Sequence, residues 1–381
     1  EAFLSYHRRS FPHDKLTRFK LGTTIPRKNI GSDKEFLELC EIVEKILPKH
    51  KSYAPLSYYI KALGLVGAAV GIEIYMHYTG NYKWYLSAPL GLVMALIGMN
   101  IQHDANHGAL SRNPIVNRIF GYTQNLIGGS AVDWIHQHVV QHHVNTNDVH
   151  SDPDIVGNVI LRLNPLKPMT RIHGLQHLYV FILIALFGFT VIEYSMENVI
   201  RGEHHIPMSQ LLIGYRAFDI FTSILFIFRW FVLPYILWPC SLSGVVERLI
   251  NIAPMFMVGG YYLAFFFLIS HNFKGVHMFD KTELDRDESF LRSQVSSSSN
   301  VGGSWLCFFN GGLNYQIEHH LFPRVHHKHY PTIAPAVREF CLSKNIPYVH
   351  FPTVYDNFKA CVEHLCDLGN NKDPIDLNKK I

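Results

Sequence analysis

Histidines form three closely spaced clusters in this chain of 381 residues, which contains 24 histidines in all. The clusters are His103-Asp-Ala-Asn-His107, His138-Val-Val-Gln-His142-His143 and Gln316-Ile-Glu-His319-His320. Spacings of three and four residues place imidazoles on one face of a helix. Each cluster can therefore direct two or three ring nitrogens toward one point, as a metal site requires.

A single His-x-x-x-His pair is more often a surface or hydrogen-bonded pair than a metal site, because the spacing also arises by chance. Three clusters beside apolar segments change this balance, since ionisable residues at a membrane boundary are costly and tend to be functional. Seven histidines and a glutamine exceed the ligands of one tetrahedral zinc. We therefore expect two metal ions with open coordination positions.

Two soluble classes of metalloenzyme are disfavoured. The sequence has no Glu-x-x-His pair of the soluble di-iron bundles and no His-Glu-x-x-His motif of zinc proteases. Imidazole suits iron, copper, nickel and zinc. The interpretation that remains is a nitrogen-rich, carboxylate-poor pair of irons.

Long apolar segments separate the clusters. Hydrophobic residues make up 48% of the chain and charged residues only 17%, and the two kinds are strongly segregated, as in membrane proteins. Five segments approach the roughly 20 residues of a spanning helix: 56–78, 84–101, 175–192, 215–238 and 252–270. We expect an all-α integral membrane protein, with about four transmembrane helices and a cytosolic helical cap that holds the di-iron site.

The clusters can form one site only if they lie on one face of the membrane. An even number of crossings must then separate residue 143 from residue 271, although three apolar segments lie between them. We expect segment 175–192 not to cross, because the residues after it, 198–210, are too polar for deep lipid. Basic residues before the first segment place the N-terminal region in the cytosol. The net charge of +4 gives no indication of nucleic-acid binding.

The three clusters resemble the histidine boxes of the membrane fatty acyl desaturases. The flanking sequences agree: Trp134-Ile-His-Gln-His138, Asn145-Thr-Asn147, Asp152-Pro-Asp154, Gly311-Gly-Leu-Asn-Tyr-Gln316 and His320-Leu-Phe-Pro323. The glutamine that opens the third box resembles the front-end subgroup, and the similarity covers residues 50–360. It implies a further ligand near the end of the last span, where His271 is the candidate.

The resemblance thus implies nine metal ligands. They are His103, His107, His138, His142, His143, His271, Gln316, His319 and His320. A metal-bound imidazole usually donates its other N–H to a carboxylate or carbonyl. Residues expected to support the ligands in this way are Asp104, Asn272, Glu318, Asp152 and Asp154; solvated loop acids are the alternative.

An apolar tunnel is also expected, because one methylene pair must be held near the irons without water. Trp134 and Trp305 are candidates for its wall, although tryptophan is commoner in the membrane core or interface.

The reaction implied is the O2-dependent insertion of a cis double bond. Two electrons arrive through the haem of cytochrome b5 and its NADH reductase, and two iron ions activate O2. A front-end desaturase places the bond between an existing double bond and the carboxyl end of a polyunsaturated acyl chain, carried on a lipid or on coenzyme A. The second box favours the Δ5 or Δ4 type, and the endoplasmic reticulum membrane is the expected location, with the active site facing the cytosol.

The first ten residues, Glu1 to Ser10, resemble the end of a cytochrome b5 domain, with a nonspecific basic helix as the alternative. We expect residues 1–20 to be this remnant, 21–52 a cytosolic linker with a helix from Asp33 to Leu47, 53–360 the membrane desaturase domain and 361–381 a tail. Other functions stay open: a fatty acyl hydroxylase or sphingolipid desaturase with the same irons, and, more distantly, a non-enzymatic metal-binding membrane receptor.

Overall fold

A computed structural model describes residues 5–6, 31–201, 210–280 and 289–371. Across these ranges the regular structure is helical, apart from one parallel pair of two-residue strands, β1 (Asn300–Val301) and β2 (His350–Phe351). The all-α class is therefore confirmed. Most of the predicted N-terminal remnant, residues 1–4 and 7–20, lies outside the described residues, as do 372–381 of the tail.

The helices are numbered in chain order. Their bounds are α1 Gly31–Ile46, α2 Leu56–Thr79, α3 Trp84–Ile97, α4 His103–Asn106, α5 Pro114–Gly121, α6 Thr123–Leu126, α7 Ala131–Trp134, α8 His143–Asn145, α9 Pro153–Val156, α10 Gln176–Arg201, α11 Gln210–Phe231, α12 Leu233–Leu237, α13 Leu242–His271, α14 Phe290–Ser296, α15 Ser304–Asn310, α16 Gln316–Leu321, α17 Tyr330–Ser343 and α18 Val354–Gly369. Two π-helical segments, Gly98–Gln102 and Ile135–His142, precede α4 and α8.

Five helical segments in the described residues are long and apolar enough to cross a membrane, one more than the four expected spans. They are Lys49–Thr79, Trp84–Asn106, Arg171–Glu197, Ala217–Leu237 and Leu242–His271. Many of their apolar side chains are exposed, which suits contact with lipid.

Two tight turns lie together at the end of these helices that is remote from the three histidine clusters. The α2–α3 turn opens with Gly80, whose φ of 68° ends α2 in the left-handed conformation. The turn between α12 and α13 is beside it: Trp238 Nε1 donates to the carbonyl of His77 at 2.9 Å, and Lys83 pairs with Glu247 at 2.6 Å. Both helical hairpins therefore reverse on the same side.

Helices α3 and α13 pack closely, and this packing places the histidines that follow α3 and end α13 on the same side of the membrane helices. A Cβ added at Gly91 would lie 2.1 Å from the carbonyl oxygen of Met255, and one at Gly259 would lie 2.9 Å from the carbonyl of Gly91. Small residues let membrane helices approach this closely. Because the two helices run in the same direction, His103 and His271 emerge on one side.

The direction of α11 bears on the segment expected not to cross. Near the middle of α11, Asp219 accepts hydrogen bonds from Asn125 and Ser130, just before the second histidine cluster. Near its end, Arg229 donates to Glu73 of α2, at 2.6 Å through Nε. α11 therefore runs away from the histidine clusters and α13 returns to them. Gly188 of α10 packs against Phe256 and Gly260, in the middle of α13, and the expectation that segment 175–192 does not cross stays a prediction.

A helical cap covers the histidine side. The predicted helix from Asp33 to Leu47 is present as α1, and its buried Phe36, Leu39 and Val43 share one apolar core with α14, α16 and α17. This core encloses Ile317 and Leu321, on either side of the paired histidines of the third cluster. Burial of these side chains holds the third cluster rigidly against the membrane helices.

Candidate metal centre

The first group of ligands combines all three clusters. His103 begins α4 and His107 directly follows this helix, one turn later, and both meet His138 and His319. One ring nitrogen from each of the four lies within 4.8 Å of the others. The centroids of His103 and His319 are 4.4 Å apart, and those of His107 and His319 are 4.8 Å apart. Residues 216 positions apart in the chain thus converge on one point.

The second group consists of His142, His271 and His320, all buried, with one nitrogen of each again within 4.8 Å of the others. His271 is the last residue of α13, where it was predicted as the additional ligand. Its ring is 4.9 Å from that of His142 and 4.8 Å from that of His320, measured between centroids.

His143 lies between the two groups. Its Nε2 is 3.0 Å from Nε2 of His319 and 3.3 Å from Nε2 of His138. Its ring also stacks on His320 of the second group, with centroids 4.3 Å apart. The π-helix places residues five apart above one another, which explains why His138 and His143 face the same point.

Gln316 completes the second group. Its Nε2 lies 2.9 Å from Nε2 of His271 and 3.2 Å from Nε2 of His320. The other amide atom, Oε1, is buried and makes no hydrogen bond within the described residues. Rotating the amide would present Oε1, a possible metal ligand, at the same point.

Hydrogen bonds outside the centre orient several rings. The Nδ1 atom of His142 is 3.1 Å from Asp152 and 3.3 Å from Asp154, and that of His271 is 3.0 Å from the carbonyl of Ser297. The remaining contacts are His319 Nδ1 to Tyr330 Oη, 3.1 Å, and His320 Nδ1 to Gln294 Oε1, 2.7 Å. Each contact leaves the Nε2 lone pair directed inward, as a metal ligand needs.

Burial sets the charge of the rings. It lowers the pKa of His107, His138, His143, His319 and His320 well below the ordinary value, and the neighbouring histidines lower it further. These imidazoles are neutral near pH 7 and so keep a free lone pair.

His142 is different. Burial alone would lower its pKa, but the carboxylates of Asp152 and Asp154 raise it to about 9. The two carboxylates therefore favour positive charge at this ring, whether a proton or a metal ion carries it.

Three predicted supporting residues contact other groups instead of the ligands. Asp104 accepts from Nδ1 and the backbone N–H of His327, so it ties the first cluster to the loop after the third. Glu318 accepts from Asn300 and Tyr348, both at 2.7 Å. Asn272 donates to the carbonyl of Leu268 at 3.1 Å. Because consecutive residues of a helix point roughly 100° apart, a side chain next to a ligand in sequence faces a different direction from that ligand.

The two predicted tunnel residues have different positions. Trp134 stacks on His138, with centroids 4.5 Å apart, and lies edge-on to His103 and His107. Trp305 is 76% exposed and packs on Phe308 and Phe309 of its own helix. The structure therefore places Trp134 beside the ligands, whereas α15 turns the Trp305 side chain to the surface; the tunnel wall itself stays a prediction.

An apolar cavity of about 640 Å³ reaches the first group of ligands at His107. The valines of the second cluster and of the helix before it form much of its wall, and Arg118 and Arg324 add positive charge. Sequence spacing gave no sign of several residues near the centre. These are Tyr6 at the cavity, and Thr146, Gln294, Ser297 and Tyr330 around the ligands.

Comparison with known proteins agrees with this geometry. A family model described as "Fatty acid desaturase" matches residues 83–352. The chain belongs to the fatty acid desaturase family. The acyl-lipid (7-3)-desaturase of Rebecca salina is 41% identical over 379 residues, 97% of this desaturase and 83% of the relative. That of Diacronema lutheri is 43% identical over 376 residues, with 97% and 82% covered. Delta(5) fatty acid desaturase A of Dictyostelium discoideum is 29% identical, with 82% and 70% covered.

Family membership settles the class of protein. The desaturase is an oxidoreductase that acts on fatty acyl chains and a multi-pass membrane protein, which excludes the non-enzymatic receptor considered from the sequence. The donor atoms also fit metal ions: His103 Nε2 and both nitrogens of His107 are buried without a hydrogen-bond partner among the described residues. Burying such groups unpaired is costly unless a ligand satisfies them.

Proposed function

We propose that the desaturase holds two irons between its histidine clusters. His103, His107, His138 and His319 would hold one, and His142, His271, His320 and Gln316 the other, with His143 shared between the groups. Iron suits this nitrogen-rich set with open positions. When bound, the irons supply with O2 an oxidant strong enough to break an unactivated C–H bond, which side chains cannot supply.

The proposed reaction is front-end desaturation. A saturated –CH2–CH2– unit, O2, two electrons and two protons give –CH=CH– and two waters. The electrons come one at a time from a haem protein, for which we propose cytochrome b5 with its NADH reductase. The new cis bond lies between an existing double bond and the carboxyl end of a polyunsaturated acyl chain.

The substrate is proposed to be an acyl chain carried on a lipid. Two relatives that this desaturase covers to more than four fifths of their length are named acyl-lipid (7-3)-desaturases. Insertion three carbons to the carboxyl side of a double bond at carbon 7 gives a bond at carbon 4. The names therefore support the Δ4 option over Δ5, and a lipid carrier over coenzyme A.

The protein's own residues position the chain and exclude water. The wall of Val132, Ile135 and Val139 offers an apolar surface beside His107, where hydrocarbon is favoured over water. Trp134 stacks on His138 and fixes the orientation of this ligand. Holding one pair of methylenes beside the centre supplies much of the rate enhancement by orientation.

The proposed location is the endoplasmic reticulum membrane with the centre facing the cytosol. Basic residues before the first span support this orientation under the positive-inside rule. Glycosylation acceptor tags at residues 200 and 245 test it: we expect modification at 245 and not at 200. Modification at 200 would contradict the assignment of segment 175–192 as the one that does not cross.

The observation that carries the proposal is the convergence of three histidine clusters into two adjacent groups. To test it, the protein is expressed with cytochrome b5 in a yeast that lacks polyunsaturated fatty acids, and C18 to C22 polyunsaturated acids are supplied. Gas chromatography–mass spectrometry of total acyl chains should reveal a new double bond on the carboxyl side.

The matched variants are His319→Ala, which removes a ligand, and His150→Ala, which removes an exposed histidine outside both groups. The first should abolish the product and the second should keep it. A hydroxylated product would identify a hydroxylase instead. Bound iron without product from any of these acids would point to another lipid, such as a sphingoid base, and neither iron nor product would refute the proposed centre.

A further inference from the structure

Tyr6 lies over the first group of ligands although it is distant from all of them in sequence. Its ring is stacked on the imidazole of His107, with centroids 6.3 Å apart and planes at 19°. It faces His143 edge-on at 6.2 Å. The same residue lines the apolar cavity beside His107. A side chain of the N-terminal region is thus a neighbour of two ligands from different clusters.

Two hydrogen bonds join Tyr6 to two separate segments of the cavity lining. Its hydroxyl donates to the carbonyl of Val139 at 2.9 Å, next to the ligand His138. Its own carbonyl accepts from Nη1 of Arg324 at 2.9 Å, in the loop after the third cluster. Burial raises the pKa of the Tyr6 phenol well above its ordinary value, so the hydroxyl remains a donor.

The position of Arg324 is also constrained. Its guanidinium lies against Gly108, where an added Cβ would approach Nη2 to 3.3 Å. Gly108 has a φ of 70°, in the left-handed region that favours glycine, and directly follows the ligand His107. Arg324, which binds the carbonyl of Tyr6, therefore packs against the end of the first cluster. Tyr6 thus links segments of all three clusters across the cavity.

We propose that Tyr6 is a closing residue of the desaturase. Held by hydrogen bonds to Val139 and Arg324, it shields the side of the centre formed by His107 and His143 from water. O2 and the donor electrons are then used for desaturation of the acyl chain. The role is one of positioning and closure, because Tyr6 acts through the ligands and the cavity. The inference rests on the proposed di-iron desaturation and assigns to it a residue outside the histidine clusters.

Loss of closure would change the fate of O2. In desaturation, O2 takes two electrons from the donor and two from the C–H bonds of the substrate, giving two waters. When the substrate supplies no electrons, O2 takes two electrons and two protons from the donor side and leaves as hydrogen peroxide. A centre open to water favours the second outcome, since excluding solvent prevents such side reactions.

The first test measures coupling in the full chain loaded with iron. Tyr6→Ala removes the ring and the hydroxyl but keeps the carbonyl that Arg324 binds, and Tyr6→Phe removes only the hydroxyl. The matched control is Tyr355→Ala, at a 70% exposed tyrosine of α18. We expect Tyr6→Ala to lower product formed per O2 consumed several-fold and to raise peroxide, with iron content unchanged. Tyr6→Phe should lie between wild type and Tyr6→Ala, and the control should match wild type.

A second test does not depend on activity. Val132 lines the cavity and is 3% exposed, so Val132→Cys reports on access to it. The rate at which a maleimide labels this cysteine, followed peptide by peptide, should rise several-fold when Tyr6→Ala is added. Native Cys307, also 3% exposed but not a cavity residue, should not change.

Unchanged coupling together with unchanged labelling at position 132 would overturn the closing role. Equal acceleration at position 132 and Cys307 would also overturn it, because the variant would then loosen the whole fold. Failure of the proposed function is distinguishable: wild type would bind no iron or form no product, while labelling would still report whether Tyr6 closes the cavity.

Discussion

Replacing Asp152 with asparagine should weaken one metal site while leaving its shape intact. The carboxylate is 1% exposed and makes three contacts. Oδ1 lies 3.1 Å from His142 Nδ1 and accepts from the backbone N–H of Asp154 at 3.0 Å, and Oδ2 accepts from the backbone N–H of Asn147 at 2.7 Å. An asparagine can supply only one of these two acceptors.

The expected loss of metal affinity follows from the fact that asparagine has one acceptor oxygen where aspartate has two. If the amide oxygen faces Asn147, the NH2 group meets His142 Nδ1 and favours the tautomer with a proton on Nε2, which cannot bind metal. If the oxygen faces His142, the NH2 group opposes the N–H of Asn147. Either way a buried polar group loses its partner, at about 1–3 kcal/mol. We expect roughly a 10- to 100-fold loss of metal affinity, the usual effect of such a change.

The assay is iron retention against a chelator of known affinity, read by inductively coupled plasma mass spectrometry. Asp154→Asn is the matched control: it removes a carboxylate 3.3 Å from the same nitrogen, but that side chain is 51% exposed. Water can replace it, so its effect should be several-fold smaller. Unchanged affinity in Asp152→Asn, or an equal loss in both variants, would refute the reasoning.

Three further predictions concern the surroundings of the centre. Tyr330→Phe removes the hydroxyl 3.1 Å from His319 Nδ1 and should lower iron affinity by about 1 kcal/mol, roughly fivefold; no change in the chelator assay would count against this orienting bond. Gly91→Ala places a Cβ 2.1 Å from a backbone oxygen of α13 and should cost about 1–3 kcal/mol of stability, seen as a lower melting temperature in detergent. Gly64→Ala, which meets open space, should melt like wild type, and equal melting of the two variants would contradict the close packing. Trp134→Ala should lower product formation strongly and Trp305→Ala should not, and the reverse result would restore Trp305 as a tunnel residue.

Periodic features of the sequence predicted much of this structure. Spacings of four residues placed His103 with His107 and Gln316 with His320, and apolar runs of spanning length gave the long helices. His271 could be identified by resemblance because the end of the last apolar run, where the further ligand is expected, can be located in the sequence. These features depend on local helix geometry, which repeats along the chain and does not depend on tertiary contacts.

Contacts between distant segments could not be predicted in the same way. Asp104 and Glu318 stand beside ligands in sequence, but each turns to partners brought by packing of the cap, such as His327 and Tyr348. The hydrogen bond from Tyr6 to Val139 joins residues 133 positions apart. No spacing rule marks such pairs, because the tertiary fold alone determines them. The π-helix at the second cluster was also not foreseen.

The most direct test of the proposed centre is the metal content of the purified desaturase, measured with the variants His107→Ala and His271→Ala, one from each group of ligands. The proposal predicts two irons per chain in wild type and a loss of iron in both variants, while His150→Ala keeps both irons. One metal ion per chain, zinc in place of iron, or full iron content after loss of either ligand would contradict it.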